Sequence, residues 1–128
     1  MRLQKNNSPK LNKILGGIYF VNNSSEYKLM IEPNIYFSIN KNKLKYIKGR
    51  SNGFFNIFWS ASIKSENELI INLKKNNEII SSKNYNSKFE VIISDEIIHK
   101  LSLNDELWIE IETNNEYLIN SIHILVNE

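Results

Sequence analysis

The run Gly53-Phe54-Phe55-Asn56-Ile57-Phe58-Trp59-Ser60-Ala61-Ser62-Ile63 constrains this chain more than any other stretch. Its odd positions, Phe55, Ile57, Trp59, Ala61 and Ile63, are all apolar, whereas Asn56, Ser60 and Ser62 between them are small and polar. A period of two with one apolar face is the pattern of a β-strand laid on a core, so the run reads as a central strand. The same register turns Phe54 and Phe58 to the polar face, which marks that face as one to be covered by a second protein surface or a ligand.

The pattern recurs along the chain at short spacing. Ile14 to Val21 is apolar and interrupted by Gly16-Gly17, as suits a first strand with a bulge or a close backbone approach. Asn22 to Ser25 reads as a turn. Tyr27, Leu29 and Ile31 alternate with Lys28, Met30 and Glu32 until Pro33 stops the strand; Ile35, Phe37 and Ile39 alternate after it, and a Lys41-Asn42-Lys43 turn leads into Leu44 to Ile47. Gly49 to Gly53 is a loop into the central strand. Leu69, Ile71 and Leu73 then face one way, and Asn76-Asn77 supplies the positive φ of a tight hairpin into Glu78 to Ser81.

A loop is expected through Asn84-Tyr85-Asn86-Ser87, followed by a strand carrying Phe89, Val91 and Ile93. Ser94 to Leu101 reads as the one short helix, at residues 95–101: Ser94 caps, Asp95 and Glu96 occupy the first turn, and His99 and Lys100 the last. Asn104-Asp105 is a turn, and Leu107, Ile109 and Ile111 oppose Trp108, Glu110 and Glu112. Asn114-Asn115 is expected to close a hairpin into Tyr117 to Val126, with Leu118, Ile122, Ile124 and Val126 on one face and Tyr117, Ile119, Ser121, His123 and Leu125 on the other. About eight to ten short strands with so little helix predict an all-β fold, an antiparallel β-sandwich of jelly-roll type. The lack of crossover helices excludes a parallel α/β fold.

At 128 residues the chain has the size of one domain, read as a flexible polar leader over residues 1–12 and a single β-sandwich over 13–128. Sixteen basic residues against 14 acidic leave a net charge of only +2, scattered along the chain, so a nucleic-acid partner is not expected. The absence of cysteine excludes disulfides and thiolate zinc sites. Neither a signal peptide nor a transmembrane run stands out, which predicts cytoplasmic synthesis and no membrane partner. His99 and His123 lie in no metal-ligand spacing and no nucleophile elbow is present. The carboxylate pairs Asp95-Glu96 and Glu110 with Glu112 read as solvated charge, because no feature predicts the burial that separates pKa values. No catalytic residue, metal or cofactor is expected.

Two sets of surface residues are candidates for function. Phe54, Phe58, Ile70, Ile92, Trp108, Tyr117, Ile119 and Leu125 fall opposite the core pattern, and so many large apolar groups outside the core predict a homo-oligomer interface, with cover by loops of the same chain as the alternative. Aromatic rings beside amides and carboxylates also suit a sugar, whose apolar face stacks while its hydroxyls are bonded. That alternative, a monomeric carbohydrate-binding module, would use Trp108 with Glu110 and Glu112, and Tyr85 with Asn84 and Asn86.

With the strands in place, a resemblance emerges in Asn52 to Ile63 followed by Leu69-Ile70-Ile71-Asn72-Leu73-Lys74-Lys75-Asn76-Asn77-Glu78-Ile79. The segment resembles trimeric jelly rolls of the tumour-necrosis-factor and complement type, especially the C-terminal domains of collagen-like bacterial exosporium glycoproteins. There a glycine-aromatic strand with a small-residue end precedes a strand, an Asn-Gly hairpin and another strand. Leu103-Asn104-Asp105-Glu106-Leu107-Trp108-Ile109 is similar to the family's Leu-x-x-Gly-Asp-x-Leu stretch, and Asn120-Ser121-Ile122-His123-Ile124 to its closing Asn-Ala-Ser-Ile-Ile strand. Asn77 and Asn104 stand where that pattern has glycine, Ser94 to Leu101 reads as an insertion, and no Gly-X-Y stalk precedes the domain. The resemblance implies a non-catalytic, homotrimeric assembly module with loops free for a ligand, and a place on a spore or particle surface.

Overall fold

The computed structural model describes residues 13–22, 26–49, 52–86 and 91–128. The leader expected over 1–12 lies outside the described residues, as do Arg50 and Ser51 of the expected loop and most of the expected turn after Asn22. Among the described residues ten strands follow one another: β1 (Ile14–Val21), β2 (Lys28–Leu29), β3 (Phe37–Asn40), β4 (Lys43–Tyr46), β5 (Asn52–Lys64), β6 (Leu69–Lys75), β7 (Glu78–Tyr85), β8 (Val91–Ser102), β9 (Glu106–Glu112) and β10 (Leu118–Asn127). They form two five-stranded antiparallel sheets, ordered β2-β1-β10-β5-β8 and β3-β4-β9-β6-β7. Among the described residues there is no helix, hence none long and apolar enough to cross a membrane.

The alternation in β5 holds along its length. Phe55, Ile57, Trp59, Ala61 and Ile63 are all buried, joined from the same sheet by Ile122, Ile124 and Val126 of β10. Leu44 and Tyr46 of β4, Leu69, Ile71 and Leu73 of β6, and Leu107 and Ile109 of β9 meet them from the opposite sheet. A tilted Phe37–Tyr46 pair (5.3 Å between centroids) and an edge-on Tyr46–Phe55 pair (5.5 Å) close one end of the core, in the geometries that ring quadrupoles favour.

The turns use the residues that can adopt them. Lys41, Asn76 and Asn104 take φ of 59°, 56° and 77°, and the β6–β7 hairpin turns on Asn76-Asn77 as its sequence predicts. Gly16-Gly17 combines both expected features: the register shifts between Ile14 and Gly16, and a Cβ on Gly17 would meet the Ile124 carbonyl oxygen.

Several expectations are corrected. Ser94 to Leu101 is not a helix but part of β8, which pairs with β5 from Asn52↔Ser102 to Ile63↔Val91. A twelve-partner ladder on the open edge of β5 satisfies far more backbone than one or two helical turns, and it lets Ile93, Ile97 and Leu101 reach the core. Asn114-Asn115 closes no hairpin, since β9 and β10 belong to different sheets and the connection crosses between them. The strand expected over Tyr27 to Glu32 shrinks to Lys28–Leu29, and the next begins only at Phe37. There Asn34 Oδ1 accepts from the amides of Tyr36 (2.8 Å) and Phe37 (2.9 Å), while its Nδ2 donates to the Leu15 carbonyl (3.0 Å), so an Asx turn replaces the first strand residues.

Candidate functional site

The outward face of the β2-β1-β10-β5-β8 sheet collects side chains that are far apart in sequence. Pairing aligns them in rows: Gly17, Leu125, Phe58 and Glu96 form one, Tyr19, His123, Ser60 and Ser94 the next, and Val21, Ser121, Ser62 and Ile92 a third. Toward the other end of β5, Asn127, Asn56 and Ile98 share a row and Phe54 faces Lys100. Phe54, Ile92 and Ile98 are 66%, 73% and 74% exposed, while Phe58 and Leu125 lie half-buried side by side. Charge stays at the margins: Lys28 on β2, Lys64 at the end of β5, and Glu96 and Lys100 on the edge strand β8. Glu96 also accepts from the Asn56 amide at 2.7 Å.

Four of the eight residues expected at an interface, Phe54, Phe58, Ile92 and Leu125, therefore share this face. The others go elsewhere. Ile119 packs against the core, because the register of β10 shifts between Ile119 and Ser121 and pairs Ile119 with Ile63; Leu118 is turned outward in its place. Tyr117 sits in the β9–β10 connection, and Ile70 and Trp108 belong to the other sheet. Ile98 was hidden by the helical reading of β8, and Tyr19 and His123 become neighbours only through the β1–β10 register, with rings 6.4 Å apart and 17° from parallel.

The outward face of the second sheet is polar and internally bonded. The Trp108 ring is covered by the Lys43 ammonium at 4.3 Å and approached by that of Lys74 at 5.8 Å, a cation–π arrangement within the chain. Lys74 pairs with Glu110 at 3.6 Å. Asn72, only 1% exposed, donates to Glu110 and Glu112 at 3.1 Å each and accepts from the Ser82 hydroxyl at 2.7 Å. Its amide thus holds two carboxylates side by side with every polar atom satisfied.

Beside that network lies a shallow cleft of about 510 Å³ lined by Glu68, Ile70, Asn84, Tyr85, Asn86 and Glu112. It unites Asn84, Asn86 and Glu112 of the expected sugar-binding set. Tyr85, expected on a loop, instead ends β7 and is 1% exposed, its hydroxyl directed at the Ser65 backbone (3.4 and 3.5 Å), so its ring offers no stacking face. Trp108 stands four residues from Glu112, about 13 Å along β9. The sugar set is thereby divided between a polar cleft and a lysine-covered indole.

The two sheet orders are those of an antiparallel β-sandwich of jelly-roll type. Rabbit GITRL is similar over 88% of this chain and 93% of its own, with a TM-score of 0.64 at 19% identity. The globular domain of zebrafish complement 1qA protein is similar over 90% and 95% (TM-score 0.60, 16% identity), and PRD1 vertex protein P5 over 93% and 99% (TM-score 0.63, 9% identity). Neither a protein-family model nor a curated protein matches the sequence. The likeness is one of fold.

Proposed function

We propose that this chain is a non-catalytic binding and assembly module that forms a homotrimer by burying the outward face of the β2-β1-β10-β5-β8 sheet against further copies. One observation carries the reading: Phe54, Phe58, Ile92, Ile98 and Leu125 converge on a face whose charges are confined to its margins. The resemblance to trimeric jelly rolls supports three copies over two. Loops at the ends of the sandwich remain free for a ligand. Resemblance to exosporium domains, together with the likeness to a vertex protein, supports a place on a spore or particle surface.

Ile98→Glu tests the reading. Ile98 is exposed in the monomer, so the substitution leaves the fold intact, whereas a carboxylate buried at a contact between copies is strongly unfavourable. Sedimentation velocity is expected to resolve trimer for the unsubstituted chain and monomer for Ile98→Glu. Equal sedimentation of the two removes this face from assembly.

The cleft favours a second reading, sugar binding, because Asn84, Asn86 and Glu112 can bond hydroxyls around the apolar Ile70. A glycan array decides it: hits abolished by Asn84→Ala support the reading, and a blank array removes it.

A further inference from the structure

His123 sits near the middle of the proposed assembly face. Its row across the sheet reads Lys28, Tyr19, His123, Ser60, Ser94, and the imidazole is half-buried with its ring stacked on Tyr19. The groups facing it can be named strand by strand. Its own strand β10 supplies Ser121 and Leu125, β1 supplies Gly17, Tyr19 and Val21, and β5 supplies Phe58, Ser60 and Ser62. Charges lie farther out: Lys28 beyond Tyr19, and Glu96 on β8, one row along, beyond Phe58 and already bonded to Asn56. The neighbouring strands therefore place no carboxylate next to the imidazole. A neutral ring enters an uncharged contact readily; an imidazolium would enter it with no carboxylate from its own neighbouring strands to balance it.

We propose that His123 makes assembly of this chain pH-dependent, the oligomer forming with neutral imidazoles and coming apart when they are protonated. This rests on the assembly reading above. Histidine is the side chain whose ordinary titration falls between pH 5 and 8. A proton that must be shed on burial weakens association by about tenfold per protomer for each pH unit below the titration, or about a thousandfold in the association constant of a trimer. The only other histidine, His99, lies on β8 with its Nδ1 3.0 Å from the Lys100 carbonyl, and provides the control.

The test is the mass in solution by light scattering at about pH 7.5 and about pH 5.5, for the unsubstituted chain, His123→Gln and His99→Gln, with circular dichroism to verify folding. The expected result is an oligomer at the higher pH that dissociates at the lower one, with His99→Gln behaving alike and His123→Gln staying assembled at both. An unsubstituted oligomer that survives acid, or a His123→Gln oligomer that dissociates with it, overturns the switch and leaves assembly standing. A monomer under both conditions overturns assembly itself. If His123→Gln is monomeric throughout, His123→Phe, a ring without charge, is measured in its place: persistence in acid supports the proposal and acid dissociation overturns it.

Discussion

Trp59 of β5 donates its indole N–H to the hydroxyl of Ser81 on β7 at 2.8 Å, joining one sheet to the other across the interior. Ser81 donates onward to Asp95 Oδ2 at 2.7 Å, and Asp95 on β8 is the strand partner of Trp59. The largest fully buried side chain thus has its one polar atom satisfied by a path that ends on a half-buried carboxylate. The bond ties the two sheets together along the side of the sandwich where β7 and β8 are the edge strands.

Ser81→Ala should therefore cost about 1–3 kcal/mol, the penalty for leaving a buried donor without a partner. Urea unfolding followed by tryptophan fluorescence measures it. An unchanged midpoint would contradict the role given to this hydroxyl.

Gly17→Ala is expected to destabilise by about 1–3 kcal/mol or more, as overpacking does. The added methyl would meet the Ile124 carbonyl oxygen and approach Met30 Sδ (2.9 Å) and Leu125 Cα (3.1 Å), two of which are backbone atoms of the neighbouring strand and cannot rotate away. A thermal melt of the variant within a degree or so of the unsubstituted chain would show that β1 and β10 can separate without cost.

Lys41 is an exposed residue in a two-residue turn with φ of 59°, a conformation that strains any side chain with a Cβ. Lys41→Gly relieves the strain while losing some unfolded-state restriction, for a net gain of about 0.5–1 kcal/mol. A lower urea midpoint for the variant would contradict this.

Burial raises the Tyr27 phenol above its ordinary value, and the nearby Tyr117 adds to the shift. The folded state then holds the proton more tightly than the unfolded chain. The sign follows: this contribution is intact below about pH 10, the unfolded value, and is lost as pH rises toward and through the higher folded value. Tyr27→Phe should flatten the alkaline loss of stability above about pH 10 relative to the unsubstituted chain. Parallel stability curves for the two proteins would contradict the assignment.

The central strand was legible because β5 is paired on both sides and its own alternation determines which side chains are buried. β8 was not: Ser94, Asp95 and Glu96 imitate a helix start, and only the open edge of β5 decides for a strand. The same local ambiguity concealed Ile98 from the candidate face. In β10 a one-residue irregularity after Ile119 exchanges its role with that of Leu118, and a hydrophobic pattern alone cannot locate such a bulge. Trp108 was placed on the correct face, yet the lysines that cover it come from β4 and β6, whose pairing with β9 is a tertiary fact. Tyr85 looked like a loop aromatic because Asn84 and Asn86 flank it, although its ring belongs to the core.

Absolute mass by light scattering on a sizing column, at neutral pH and over a range of concentrations, tests the central claim most directly. A homotrimer near three times 15.0 kDa is the predicted result, with the face around Phe58 and Leu125 as its contact. A single species of 15.0 kDa at every concentration would contradict assembly and leave Phe54, Ile92 and Ile98 as solvent-exposed groups in need of another partner.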